Sequence, residues 1–272
     1  MWQKFGIYSS ILFLLMACGK DYVTGKSSYN LYPISTDIAM GQHVLKEQLG
    51  SLKSSHKKID EAADAAEFKR LRRMAMRIAK VSHIPQFPYE VHLADLEVVN
   101  AWCAPGGKIM FYTGLWDPKK GLVQKGNDDE LAAVMAHEVS HATARHVTKA
   151  ISRAATLAMV GGVATSAIAG AGAPVQADVF QQIFSQGMNI YLPSYSRKNE
   201  SEADAIGLMY MAMAGYDPRA AVSLWERAAK AKKGDKTSVY DSHPASGERA
   251  DNLKKLLPKA MEIYNAVGPT PR

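Results

Sequence analysis

The pentapeptide His-Glu-Val-Ser-His at residues 137–141 constrains this chain more than any other feature of its sequence. The surrounding pattern predicts a helix, and residues four apart on a helix share one face. His137 and His141 can therefore direct two imidazoles at one metal ion, and Glu138 lies close enough to reach a water on that ion. Because the chain has only 8 histidines, chance rarely gives this spacing. The pattern predicts a zinc hydrolase that needs a third ligand.

The residues that follow exclude one source of that ligand. One class of zinc proteases takes its third ligand from the motif H-E-x-x-H-x-x-G-x-x-H. Here Ala144 and Val147 occupy the positions of the glycine and the last histidine, so this class does not apply. His146 is one residue short of the required spacing, and we interpret it as a structural residue. The third ligand must come from elsewhere, since a catalytic zinc ion takes three protein ligands and keeps one open position.

A downstream predicted helix over about residues 196–214 supplies acidic candidates. Glu200 and Asp204 are four residues apart and share a face, whereas Glu202 points away from it. A zinc-bound histidine usually donates its second ring N–H to an acceptor, and Asp204 can provide one from the same face as Glu200. The sequence therefore predicts one Zn²⁺ per chain, held by His137 and His141 together with Glu200. Glu202 is interpreted as a surface acid.

The chemistry of the predicted site follows from the metal. A zinc ion lowers the pKa of its bound water to about 7 and polarises a carbonyl group. Glu138 can take the proton from that water and later deliver it to the leaving amine. Replacing Glu138 by Gln should therefore leave zinc bound and stop turnover.

The N-terminus predicts a targeting segment. Residues 1–17 carry a small positive region and an apolar run too short to span a bilayer, as in a signal peptide. The residues before Cys18 resemble a bacterial lipobox, which implies that Cys18 is lipidated; a plain secretory signal is the alternative. We then expect residues 18–35 to form a polar tether and residues 36–266 a zinc metallopeptidase domain. The expected location is the bacterial cell envelope, facing the periplasm as an outer-membrane lipoprotein.

Charge limits the partners. The chain carries a net charge of +7, and its densest basic run spans residues 69–80. Acidic residues precede this run at helical spacing, which favours a solvated helix face, with contact to an anionic membrane surface as the alternative. No basic patch is interleaved with aromatic residues, so the sequence disfavours nucleic acid as a partner.

Hydrophobic patterning predicts an α+β fold. Three short strands rich in Val, Ile, Tyr, Trp and Phe are expected at 89–94, 97–104 and 108–113, within an otherwise helical chain. We expect a mostly helical, zincin-type metalloprotease domain with one small β-sheet bordering the active-site cleft. Residues 154–177 carry no charge. Their scarcity of large apolar residues favours a helical hairpin at the cleft over a membrane span.

Four motifs in one order make the chain resemble the M48 metallopeptidases, and among them the LoiP-type lipoproteins. The resemblance covers about residues 36–257. Its motifs are the segment Asn-Ala-Trp-Cys-Ala-Pro-Gly-Gly-Lys-Ile at 100–109, the H-E-x-x-H helix, Ser-Arg-x-x-Glu-x-x-x-Asp at 196–204, and His-Pro-x-Ser-x-x-Arg at 243–249.

The resemblance implies roles for further residues. The strand at Trp102, Cys103 and Ala104 would be the edge of the active site, to which a substrate adds as an extended strand. Cys103 departs from the apolar residue more usual there, and either packs or makes the site redox-sensitive. His243 precedes a proline, which holds its backbone extended. The family implies a catalytic position for it, stabilising the oxyanion or occupying the open zinc position, with Arg249 supporting it or binding substrate.

The expected function is a zinc metalloendopeptidase that cleaves misfolded or misassembled cell-envelope proteins. Its partners would be unfolded or misassembled envelope substrates and the membrane, through the lipid anchor. The oligomeric state is left undetermined. An envelope chaperone or assembly factor with weak or regulated proteolysis is the alternative. A purely structural zinc site is disfavoured by the open coordination position and by Glu138, because structural sites usually have four protein ligands.

Overall fold

The computed structural model describes residues 18–160, 195–231 and 247–270. The predicted signal peptide and His243 lie outside these residues. Residues 161–177, which form most of the predicted helical hairpin, also lie outside them. The helices in the described part are α1 Ile34–Ser54, α2 Glu61–Val81, α3 Asp128–Thr143, α4 His146–Val160, α5 Arg197–Met213, α6 Arg219–Ala231 and α7 Gly247–Val267. The strands are β1 Cys18–Lys20, β2 Ser27–Tyr29, β3 Glu90–Ala94, β4 Ala101–Ala104 and β5 Lys108–Tyr112.

The three predicted strands form one mixed sheet in the order β3-β5-β4. Strand β5 runs parallel to β3 and antiparallel to β4, with Cys103 opposite Ile109. The predicted turn between β4 and β5 contains Gly106 and Gly107, whose φ angles of +71° and +80° favour glycine. Strand β4 is therefore an edge strand, and its outer side pairs with no other strand of the described residues.

Helix α3 begins at the predicted cap. The side chain of Asn127 accepts a hydrogen bond of 3.1 Å from the backbone N–H of Glu130, which satisfies one of the free donors of the first turn. The carboxylate of Glu130 accepts a hydrogen bond of 2.8 Å from the N–H of Gln124 and pairs with Arg227 of α6 at 2.8 Å. These contacts anchor the start of a helix whose residues are buried almost throughout.

Helix α5 packs against α3 at a small-residue interface. Gly207 lies so close to α3 that a Cβ atom at this position would sit 3.1 Å from the carbonyl carbon of Ala136 and 3.1 Å from the nitrogen of His137. Ala203, on the same helix, is fully buried. The absence of larger side chains at these positions lets the backbones of the two helices approach closely.

A sharp turn separates α3 from α4. Arg145 adopts a φ angle of +55°, which is uncommon for a residue with a side chain. Its guanidinium Nε donates a hydrogen bond of 2.8 Å to the buried carboxylate of Asp37 in α1. The turn ends the regular progression of side chains along α3, and α4 starts in a new direction at His146.

The segment predicted to be a polar tether is folded onto the domain instead. Strands β1 and β2 form an antiparallel hairpin. Asp21, in the loop of that hairpin, forms an ion pair of 2.5 Å with Lys149 of α4. Asn30 donates a hydrogen bond of 3.0 Å to the hydroxyl of Thr148. Asn30, one of the polar residues that suggested a tether, thus helps to bind this segment to α4.

The architecture confirms the predicted α+β class, with a helical body and a small sheet beside α3. It adds a second, two-stranded sheet formed by β1 and β2, where the sequence predicted only one sheet. Within the described residues, no helix combines the length and the apolar character that crossing a membrane requires.

Candidate active site

Helices α3 and α5 bring three of the predicted site residues together. One ligand atom each from His137, His141 and Glu200 lies within 4.8 Å of the others. The Nε2 atoms of the two histidines are 3.1 Å apart. Glu200 places Oε2 3.5 Å from Nε2 of His137 and Oε1 3.3 Å from Nε2 of His141. All three residues are buried.

This donor set fits a tetrahedral metal ion. Zinc binds histidine nitrogen at 2.0–2.1 Å and carboxylate oxygen at 2.0–2.2 Å, so the donor atoms of a tetrahedral site lie about 3.3 Å from each other. The distances of 3.1, 3.3 and 3.5 Å among these side chains cluster around that value. The three ligands found among the described residues would leave one coordination position open, as catalytic rather than structural sites do.

Asp204 lies next to His137 on the side away from the other ligands. Its Oδ1 is 3.0 Å from Nδ1 of His137, which leaves Nε2 directed at the cluster. Burial alone would lower the pKa of His137, but hydrogen bonding to Asp204 and to Glu200 outweighs it and raises the pKa to about 9. An environment that favours a proton on this imidazole also favours another cation there.

Arg249 of α7 is buried beneath these carboxylates. It donates two hydrogen bonds of 2.7 Å to Asp204, and its Nη1 lies 2.9 Å from Oε2 of Glu200. Its guanidinium also stacks 3.6 Å from the ring centroid of Trp225. Burial raises the pKa of Asp204, but the charge of Arg249 outweighs this and lowers it. The contacts of Arg249 support the metal-site carboxylates. Its expected support of His243 or binding of substrate stays a prediction, since His243 lies outside the described residues.

His141 has a different set of neighbours. Its ring stacks on Tyr195, with centroids 3.7 Å apart and planes inclined by 19°. Its Nδ1 is 2.8 Å from Nδ1 of His146, and Nε2 of His146 is 3.4 Å from Oε2 of Glu202. Burial lowers the pKa of His146, which favours its neutral form.

Sequence reasoning missed these contacts of His146 and Glu202, and it gave no role to Tyr195 or Trp225. The sequence favours a structural role for His146 because it is one residue short of a known ligand spacing, and a surface role for Glu202 because it points away from Glu200. Neither argument includes the turn at Arg145, which folds His146 back onto His141. The positive φ angle of a non-glycine residue leaves little signal in a sequence.

Glu138 is buried beside the predicted ligands, with 3% of its surface exposed. Burial is the main reason why the pKa of Cys103 and that of Tyr195 are raised, and the negative charge of Glu138 adds to both effects. Glu138 is therefore close enough to Cys103 of β4 and to Tyr195 for its charge to act on both groups.

Strand β4 carries the predicted substrate residues. Trp102, Cys103 and Ala104 are buried, and Trp102 donates a hydrogen bond of 3.0 Å from Nε1 to the hydroxyl of Tyr112. Burial raises the pKa of the Cys103 thiol well above its ordinary value, which suppresses the reactive thiolate. These observations favour packing over redox sensitivity for Cys103.

Comparison with known proteins identifies the family. The family model described as Peptidase family M48 matches residues 65–257. The chain is 34% identical over 193 residues to the mitochondrial metalloendopeptidase OMA1 of Schizosaccharomyces pombe, covering 70% of this chain and 52% of that protein. It is 35% identical over 192 residues to OMA1 of Arabidopsis thaliana, covering 70% and 36%. The metalloprotease LoiP of Escherichia coli is 30% identical over 169 residues, 62% of each chain.

These comparisons confirm the resemblance to M48 and correct one prediction. The expected location as a bacterial outer-membrane lipoprotein is wrong, because the OMA1 relatives are mitochondrial proteins by name. The motif around Cys18 is short, and it carries less information than a match over most of the chain. The lipidation of Cys18 stays a prediction. The chain spans about half or less of the length of the OMA1 relatives that it matches.

Proposed function

The chain belongs to peptidase family M48, and from this premise we propose that it is a zinc-dependent metalloendopeptidase. One observation carries the proposal: Nε2 of His137 and Nε2 of His141 lie 3.1 Å apart, and each lies 3.3–3.5 Å from a carboxylate oxygen of Glu200, close to the donor spacing of a tetrahedral metal site. Two imidazoles and one carboxylate are also the donor set of known catalytic zinc sites in peptidases.

The reaction proposed is hydrolysis of a peptide bond. A bound zinc ion would supply Lewis acidity, polarising the substrate carbonyl and lowering the pKa of water to about 7. Glu138 accepts a proton from the attacking water on its carboxylate and passes it to the leaving amine. Asp204 fixes the ring of His137 through Nδ1, and Arg249 fixes Asp204 in turn. Because these residues are buried, few water molecules can compete for their hydrogen bonds.

The substrate proposed is an unfolded or misassembled protein segment. Strand β4 has a free edge among the described residues and packs directly against the helix that carries Glu138. A peptide that adds to this edge would bind through main-chain hydrogen bonds, which any extended segment can make. Such binding selects exposed, flexible chain over a strict sequence.

A cleavage assay with denatured casein tests the proposal. Glu138→Gln should bind zinc as the wild type does and should lose about 10²- to 10⁴-fold in turnover. Glu248→Gln, which changes an exposed acid of α7, serves as the control and should cleave normally. If the wild type binds denatured protein without cleaving it, the endopeptidase proposal is wrong and the assembly-factor alternative is favoured.

A further inference from the structure

The two histidines of the proposed metal site are held by different kinds of partner. Nδ1 of His137 lies 3.0 Å from a carboxylate oxygen of Asp204. Nδ1 of His141 lies 2.8 Å from Nδ1 of another histidine, His146. A ligand histidine normally donates its second ring N–H to an acceptor that fixes its orientation and tautomer. His146 is placed to act as that acceptor for the second ligand.

The geometry permits one pattern of protons in neutral rings. If His141 binds the metal through Nε2, its proton is on Nδ1 and is donated to Nδ1 of His146. His146 then carries its own proton on Nε2, which faces the carboxylate of Glu202 at 3.4 Å. Each ring nitrogen of His141 and His146 then has one defined role, as metal ligand, hydrogen-bond donor or hydrogen-bond acceptor.

We propose that His146 and Glu202 form a hydrogen-bonded relay that fixes the tautomer and the orientation of His141, which makes His146 a positioning residue for the metal site. This inference rests on the proposed function, because it assigns Nε2 of His141 to a metal ion. It extends that function by giving the second histidine ligand a support of its own.

Burial and backbone geometry hold the relay in place. His146 has 2% of its surface exposed, so its ring contacts protein on nearly all sides. The turn at Arg145, anchored to Asp37, aims the first residue of α4 back at α3. Tyr195 stacks flat on His141 and limits the tilt of that ring. Glu202 ends the relay nearer the surface, with 30% of its side chain exposed.

Zinc affinity of the full-length chain tests the relay, measured by competition with a zinc-chelating dye. His146→Leu should weaken affinity by about 10- to 100-fold, as loss of such partners typically does. His146→Asn keeps an oxygen that can accept from Nδ1 of His141, and should restore most of that loss. His56→Asn changes an exposed histidine to a residue that tolerates its positive φ angle, and should have wild-type affinity.

Two further measurements separate positioning from packing. Denaturant unfolding in excess EDTA reports the fold without metal, and the Leu and Asn variants should there differ little from each other. Cobalt(II) absorption spectra should change in the Leu variant and return toward the wild type in the Asn variant. The inference is overturned if His146→Leu binds zinc like the wild type, or if Leu and Asn variants lose affinity equally. A wild type that binds no zinc would instead refute the proposed function, and the relay with it.

Discussion

Arg249 holds Asp204 through two parallel hydrogen bonds of 2.7 Å, in a position where both side chains are buried. This paired contact joins α7 to α5 directly beneath His137, whose Nδ1 is 3.0 Å from Asp204. A guanidinium that meets a carboxylate in this way fixes both the position and the plane of the carboxylate. The orientation of a proposed metal ligand is thus set by a residue from the far end of the chain.

Removal of Arg249 should therefore destabilise the fold. Arg249→Met leaves Asp204 and Glu200 buried beside each other without their cation, and we expect a loss of about 3–5 kcal/mol in the free energy of unfolding. Denaturant titration measures this loss. Arg219→Met, which breaks an exposed pair with Asp217, should leave the unfolding midpoint almost unchanged. Equal effects of the two substitutions would contradict a special role for the buried pair.

The two acids of α5 should differ in their effect on metal binding. Glu200→Ala removes a proposed ligand, and we expect zinc to be lost during dialysis against a weak chelator. Asp204→Asn keeps all three ligands but weakens the support of His137, so affinity should fall by about 10- to 100-fold. Metal analysis and competition titration measure the two effects. Undiminished zinc binding by Glu200→Ala would disprove the site.

The packing of α5 on α3 can be probed with matched glycine substitutions. Gly50 in α1 has open space around it, so Gly50→Ala should stabilise the chain by about 0.5–1 kcal/mol through reduced backbone entropy. Gly207→Ala would place a methyl group 3.1 Å from backbone atoms of α3 and should destabilise the chain instead. Thermal unfolding of both variants measures the contrast, and a gain for both would argue against tight packing at Gly207.

A histidine outside the site should make stability depend on pH. Burial lowers the pKa of His92, but hydrogen bonds to Asp60 and Glu90 outweigh this, and the net pKa is raised above 6.5. A raised pKa in the folded state contributes stability below 6.5, and that contribution disappears as pH rises through the folded-state pKa. The stability difference between wild type and His92→Gln should therefore shrink as the pH rises from about 6.5 into the alkaline range. A difference that is constant over this range would contradict the assignment.

Cys103 should be unreactive in the folded protein. Only 2% of the surface of Cys103 is exposed, and burial raises the pKa of its thiol. Little thiolate is therefore available to an alkylating reagent. Peptide mapping by mass spectrometry after iodoacetamide treatment should find Cys103 modified only in the unfolded chain. Cys103→Val should keep activity. Rapid alkylation of the native protein would revive the redox-sensitive alternative.

The sequence by itself determined the local part of the site. His137 and His141, and likewise Glu200 and Asp204, share a face because helical geometry repeats about every 3.6 residues regardless of the surrounding fold. The cap at Asn127 and the turn between β4 and β5 could be predicted for the same reason, since each depends on a few neighbouring residues.

Only the tertiary structure decided what lies around those residues. The contact between His141 and His146 depends on a backbone turn at Arg145, and Arg249 reaches Asp204 from 45 positions away along the chain. The sequence predicted a polar tether at residues 18–35, whereas in the fold Asp21 and Asn30 of this segment bind to α4. Such contacts are set by how separate elements pack in space, and periodicity within one element carries no information about that packing.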